Sequence, residues 1–311
     1  MTGVTGAFRI RPPTAADAEA VTELVVAFDV EEYGSPDFEL DDLLADWGSP
    51  GLDLERDAWL AELPDGRLAG YAALHFNDNA EAYVSAVSRG LGVESELRRR
   101  IEARAVERAR SGERVLVGQA LSSVNEAGRT LLRSAGYEDV RTYWRLVRDL
   151  DGDLPAMEVP EGISIRAFDL ERDPHETHRV IGAAFEDNVR RRSFESFEEW
   201  EAHEINRKAF DPTLWFVAEA DGRIVGAIVC PDYEDVVWIR QLGVAQDWRG
   251  RGIGTALLLT AFAEFERRGR QTSALVVDSW NRTRAKSVYE RLGMREERVH
   301  SRFEKELLPG A

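Results

Sequence analysis

The sequence predicts an α/β fold made twice over: a sheet with helices on its faces in each of two tandem halves. Three observations carry this. Apolar alternating segments are interleaved with segments of helical periodicity, an order that favours a sheet covered by helices. The same order, β-α-(α)-β-β-β-α-β-α-β, runs through both halves of the 311 residues. A glycine-rich turn falls at the same place in each. The two copies, Arg89-Gly90-Leu91-Gly92-Val93-Glu94 and Arg249-Gly250-Arg251-Gly252-Ile253-Gly254, align without a gap.

Each element has its signal. Phe8-Arg9-Ile10-Arg11 and Ile163-Ser164-Ile165-Arg166 open the halves as strands. Helical spacing follows, in Ala18, Val21, Leu24, Val25 and Phe28 and again in Val180, Ile181, Ala184 and Phe185. A hairpin comes next, over residues 59–74 around Asp65-Gly66 and over 215–229 around Asp221-Gly222, since Asp-Gly between apolar runs marks a turn. A further strand enters the glycine-rich turn, which opens a long helix over 93–110 or 254–268. Then come a strand (114–119 or 273–278) and a short helix after Asn125 or Asn281. That helix ends near Gly136 or Gly293, as a glycine at a helix C-terminus allows. Residues 141–148 and 299–306 read as final strands. Gly152, Pro155, Pro160 and Gly162 mark a linker over 151–162. The expected domains are therefore 1–150 and 163–311.

Composition narrows the function. A net charge of −17 argues against a general nucleic-acid binder. Cys230 is the single cysteine, so no intrachain disulfide can form and a reducing, cytoplasmic setting fits. No apolar run approaches the ~20 residues of a membrane span, and the N-terminus lacks a signal-peptide pattern. His175 and His178 have no cluster of ligands around them, so no metal is expected. A monomer or a homodimer is expected.

The glycine-rich turn carries chemistry. Glycines let the backbone approach a ligand, and the N–H groups at a helix start attract anions. No Lys follows Gly254, which excludes a P-loop, and Thr255 spoils the spacing of a dinucleotide fold. In the first copy Glu94 stands in place of Gly254, putting a carboxylate where an anion would sit.

Arg249-x-x-Gly252-x-Gly254 resembles the acyl-CoA pyrophosphate loop of the GNAT superfamily of N-acetyltransferases. The preceding Leu242-Gly243-Val244-Ala245-Gln246 is similar to that family's fourth strand, with Gln246 where the family has proline. Asn281, Ala285, Tyr289, Gly293 and Met294 match its Asn-x3-Ala-x3-Tyr-x3-Gly-Phe pattern, with Met for Phe. The match covers residues 163–306. Residues 8–149 follow the layout, but with Glu94 in the loop and Leu132 or Arg133 where the tyrosine should fall, so this half looks like a degenerate domain. The whole resembles tandem-domain members, mycothiol synthase-like proteins among them.

The resemblance implies two domains, each a mixed, mostly antiparallel sheet with a splayed parallel strand pair and helices on both faces. It implies acetyl-CoA as cosubstrate, with its pantetheine arm along Leu242, Gly243 and Val244. The pyrophosphate would lie on the N–H groups of Arg249, Gly250, Arg251, Gly252, Ile253, Gly254 and Thr255, with Asn281 close by. The implied reaction moves an acetyl group to a primary amine, with Tyr289 as general acid toward the leaving thiolate. Many members carry the base as a Glu eleven positions before the loop arginine. Trp238 stands there, so Glu234, with Asp235 beside it, is the candidate base, acting through water. The same count in the first half lands on Asp78. Glu195, Glu198, Glu199, Glu201 and Glu204 precede the second hairpin, where family members cover the acceptor, and would suit a cationic amine. Two alternatives remain: a thiol-biosynthesis acetyltransferase of the mycothiol synthase type, and a non-catalytic acyl-CoA sensor. Trp238 speaks for the sensor and Tyr289 for an enzyme.

Overall fold

The computed structural model describes the chain except residues 1–3, 6, 37, 50, 76–78, 110–113, 157, 187–193, 234–235, 280–284 and 309–311. In chain order its strands are β1 (Val4–Thr5), β2 (Phe8–Arg11), β3 (Ala58–Glu62), β4 (Leu68–Leu74), β5 (Asn79–Val84), β6 (Val115–Ser122), β7 (Glu138–Asp149), β8 (Ser164–Ala167), β9 (Phe216–Ala220), β10 (Arg223–Val229), β11 (Asp232–Tyr233), β12 (Val236–Trp238), β13 (Gln241–Val244), β14 (Thr272–Asp278) and β15 (Arg295–Leu307). The helices are α1 (Ala18–Tyr33), α2 (Leu40–Trp47), α3 (Leu54–Asp57), α4 (Val93–Arg108), α5 (Glu126–Ser134), α6 (Pro174–Glu186), α7 (Phe197–Trp200), α8 (Ile253–Arg267) and α9 (Ala285–Arg291). A π-turn, Glu201–Ile205, extends α7.

Two compact units form, one from residues 1–142 with 300–311 and one from residues 143–299. In the first, the strands lie in the order β1-β2-β3-β4-β5-β6-β15, and residues 300–307 of β15 close the sheet antiparallel to β6. Among the described residues of this unit only β5 and β6 run parallel, paired at Asn79↔Gly118 and Ala80↔Gln119. Beyond Ala80 they part, while β5 stays on β4 as far as Val84. Strand alternation splits the core. Ala58, Leu60, Tyr71 and Ala73 join Val21, Leu43 and Trp47 from α1 and α2. Trp59, Ala61, Ala72 and Leu74 join Val93, Leu97 and Ile101 of α4. Helices thus cover both faces, as period-two strands between two apolar layers require.

In the second unit, β8, β9, β10 and β13 form an antiparallel sheet, and β11-β12-β14-β7 form another, with β12 and β14 parallel. Residues 143–149 of β7, which the sequence places at the end of the first domain, pair antiparallel with β14 from Tyr143↔Asp278 to Asp149↔Thr272. The final strand of each half in sequence therefore completes the unit made largely from the other half. The linker also belongs with the second unit, since Leu154 and Ile163 pack against its core.

The long helix of each unit lies close under the hairpin because of one glycine. A Cβ at Gly70 would lie 3.0 Å from Val93 Cγ1 and 3.1 Å from Leu97 Cδ1; at Gly226 it would lie 3.1 Å from Ile253 Cγ2 and 3.2 Å from Leu257 Cδ1.

Candidate active site

The fourth strand of the second unit is split by a bulge. Its first part, β12, pairs in parallel with β14, and the Ile239 N–H still reaches Ala274 O at 2.8 Å. The Arg240 N–H turns the other way, to Val229 O at 2.9 Å, although Val229 is the pairing partner of Gln241. Two residues oppose one, which defines a β-bulge. Past it, β13 is an edge strand held by β10 alone. The Ala245 N–H donates to Val225 O at 2.9 Å, which sets the alternation. Gln241 and Gly243 turn their backbone groups to β10, and Leu242 and Val244 turn theirs to the open edge. On that edge the Val244 carbonyl accepts from Arg249 Nε at 2.9 Å.

The strand leads into the glycine-rich turn. Gly250 and Gly252 have φ of 75° and 86°, the left-handed region that favours glycine. Gly252 is the N-cap of α8, whose first turn contains no acidic residue. The N–H groups of Ile253, Gly254 and Thr255 therefore start the helix without intrahelical acceptors, and the first such bond runs from Ala256 N to Gly252 O at 2.9 Å. Gly254 is in helical conformation, and a Cβ there would meet only Val244 Cγ2 at 3.7 Å, an ordinary contact. The protein's own packing does not demand a glycine at that position. Ile253 contributes its N–H alone, because its side chain is buried under Gly226. Arg251 lies over the Trp248 ring at 4.6 Å. Pro160 approaches the turn, with its Cγ 3.8 Å from where a Gly252 Cβ would be.

The first unit has the same turn with different partners. Gly90 and Gly92 have φ of 79° and 84°, and Gly92 is the N-cap of α4. The first turn of α4, however, carries Glu94 and Glu96. Arg89 makes two 2.6 Å bonds to Glu31 at the end of α1. In β5 the pairing with β4 is continuous from Ala80 to Val84, without a bulge.

Tyr289 lies on α9, with its ring packed in the core of the second unit beside Leu292 and Met294. Burial pushes its hydroxyl up to about 12, so it stays protonated, and it has no hydrogen-bond partner among the described residues. Gly293 closes the helix at φ 81°. A Cβ there would lie 2.1 Å from Arg148 Nη1, which donates to Leu292 O at 2.7 Å. The bond from Met294 N to Tyr289 O corresponds to that from Tyr137 N to Leu132 O. Leu132, not Arg133, therefore stands at the tyrosine's position in the first unit.

Glu234, Asp235, Asp78 and Asn281 lie outside the described residues. Trp238 has the Arg145 guanidinium over its ring at 4.8 Å, and Arg145 pairs with Glu297. The acidic run before the second hairpin is largely in structural use. Glu195 pairs with His203 at 2.6 Å, and Glu199 closes a capping box with Ser196. Glu204 is buried, bonded to Arg240 Nε at 2.5 Å, and lies beside Gln241, whose Oε1 accepts from Trp200 Nε1. Composition gave no sign that Glu204 would be buried; an acidic run reads as a solvated face. Among the described residues no group of His, Cys, Asp and Glu could hold a metal, and no helix is long and apolar enough to cross a membrane.

Residues 168–294 match a family model described as "Acetyltransferase (GNAT) family". A mycothiol acetyltransferase of Thermomonospora curvata is 34% identical over 76% of this chain and 79% of that protein. One from Thermobispora bispora is 31% identical over 90% of this chain and 93% of that protein. The crystal structure of a GCN5-related N-acetyltransferase from Sphaerobacter thermophilus superposes with a TM-score of 0.85 at 32% identity, covering 99% of this chain and 98% of that one. A tandem GNAT protein from the clavulanic acid biosynthesis pathway shares the fold, with a TM-score of 0.68 at 17% identity over 98% of this chain and 100% of its own.

Proposed function

The chain belongs to the GNAT family of acetyltransferases, and from that premise we propose that its second unit moves the acetyl group of acetyl-CoA to a primary amine. One observation carries the reading: the strand edge at Leu242 and Val244, unpaired by any strand and with the Val244 carbonyl held by Arg249 Nε, runs directly into a helix whose first turn has no acid. The pantetheine amides would pair with that edge. The pyrophosphate would lie on the N–H groups from Gly252 to Thr255, where the helix dipole favours negative charge.

The acceptor nitrogen, once neutral, bonds to the thioester carbon through an oxyanion; the C–S bond then breaks and its electron pair leaves on sulfur. Glu234, directly or through water, takes the proton from nitrogen. Tyr289 gives one to the thiolate, a role suited to a phenol that burial keeps protonated. The test is calorimetry with acetyl-CoA, followed by free-thiol release across a panel of amines. Binding near one equivalent and amine-dependent thiol release are expected; absence of both would end the reading.

A second reading has its own support in the mycothiol acetyltransferases, similar over up to 90% of the chain. On it, the acceptor is the amine of a cysteinyl amino-sugar. A cysteinyl conjugate in the same panel decides between the two, as the best acceptor or as one of no special standing.

A further inference from the structure

We propose that the acceptor amine also carries an oxyanion, a carboxylate or a phosphate, and that Arg240 binds it. The inference rests on the acetyl-transfer reading above. If the pantetheine arm lies along Leu242 and Val244 with its pyrophosphate on the turn, its thioester end points back along the strand, toward the bulge. Arg240 is one of the two bulge residues.

Arg240 is oriented for an anion. Its Nε donates to Glu204 Oε1 at 2.5 Å, and Glu204 is only 1% exposed. A carboxylate so deeply buried holds the guanidinium from one edge. The other edge, the Nη1–Nη2 fork, has no partner among the described residues, and the side chain is 49% exposed. Such a fork matches the two oxygens of a carboxylate or phosphate. Glu204 offsets only one of two guanidinium charges, since its Oε2 faces a second, Arg207 Nη1, at 3.9 Å. Arg207 Nη1 also donates to Tyr233 Oη at 3.1 Å. Two arginines thus share one carboxylate. From Val236 to Val244 the fourth strand carries no acid, and Arg240 is its single charged side chain. At the position where many family members have an acid, Trp238 lies beneath Arg145. Among the described residues, Arg240 and Arg207 against the single Glu204 leave one positive charge uncompensated beside the bulge, a sign that suits an acceptor carrying an anion.

The test compares acceptors with and without the anion, each kcat/KM corrected for the fraction of neutral amine at the assay pH. Phenylalanine is measured against phenylalaninamide, and O-phosphoethanolamine against ethanolamine, each with acetyl-CoA and the full-length protein. The expected result is a kcat/KM for the anionic member of at least one pair about 10- to 100-fold above its neutral partner, the range of a hydrogen bond to a charged group. The pair that responds tells carboxylate from phosphate. Arg240→Gln should bring that ratio close to one. Should loss of the cation leave Glu204 buried and the protein unfolded, Glu204→Gln/Arg240→Gln keeps the hydrogen bond without charge and should show the same collapse. Neutral acceptors used as well as anionic ones, or a preference that survives in the folded variants, would overturn the proposal while leaving acetyl transfer intact. Binding of acetyl-CoA with transfer to no amine of any kind would overturn both.

Discussion

The two glycine-rich turns hold nearly the same backbone, with φ of 79° and 84° in the first and 75° and 86° in the second. Each caps a long helix that closes under a hairpin glycine, Gly70 or Gly226. They differ in charge. In the first unit Glu94 and Glu96 occupy the first turn of α4, Glu96 pairing with Arg99 and Arg100, and Glu31 takes Arg89. In the second, α8 has no acid in its first turn, and Arg249 Nε bonds the strand's own Val244 carbonyl. A carboxylate in the first turn stabilises a helix that no ligand caps. The comparison teaches that one backbone shape, set by the same glycines and the same helix packing, can carry opposite charge at its helix start. Among the described residues a fourth-strand bulge is found in the second unit alone, and Leu132 stands in the first unit where Tyr289 stands in the second.

The largest effect expected from this contrast is at the phenol. Tyr289→Phe keeps the packing and removes the proton, and should lower the turnover number about 10²- to 10⁴-fold with unchanged acetyl-CoA affinity. Single-turnover kinetics with calorimetry would check it; full turnover in the Phe variant would remove Tyr289 from the chemistry.

Next is a pair of helix ends. Gly136 and Gly293 have φ of 85° and 81°. Alanine at either should cost about 1–2 kcal/mol for the left-handed backbone. Gly293→Ala should cost about 1–3 kcal/mol more, because its Cβ displaces Arg148 from the Leu292 carbonyl, whereas at Gly136 the nearest atom is Lys305 Cε at 3.8 Å. Equal losses in urea denaturation would show that Arg148 is not held as described.

The smallest effect concerns Glu32, next to Glu31. Burial pushes its carboxyl up to about 7, against the hydrogen bonds from Ser122 and Asn125. The folded protein then holds that proton more tightly than the unfolded chain does. The stabilisation is fully present below about pH 4.5 and is lost as pH rises through about 7. Glu32→Gln should flatten the fall of Tm across that window; an unchanged slope would contradict the assignment.

Much of this was legible in the sequence because it is local. Asp65-Gly66, Asp221-Gly222 and the paired glycines of each turn specify their conformations within a few residues, and the repeat confirms them. The sorting of Ala58 and Leu60 from Trp59 and Ala61 into two cores follows from strand alternation. Long-range choices were not legible. Nothing in residues 143–149 says that they will pair with β14 rather than with a strand of their own half, since β-pattern sets the face and not the partner. The bulge at Arg240 and Gln241 leaves no mark in composition. Glu204 looks like its acidic neighbours until its arginines are seen in space. Counting back from Arg89 reaches Asp78, outside the described residues, while strand pairing matches Asn79 to β6 as it matches Trp238 to β14; the bulge adds the extra residue.

The central claim, that the second cradle is open to acetyl-CoA and the first is closed by its own acids, is tested most directly by counting cosubstrate. Calorimetry should give one equivalent of acetyl-CoA per chain. Gly252→Asp, which sets a charge ~4 Å from the pyrophosphate, should weaken that binding about 100-fold or more. The matching change in the first unit, Gly92→Asp, should leave the single equivalent in place. Two equivalents on the unaltered protein, or one retained after Gly252→Asp and lost after Gly92→Asp, would contradict the account.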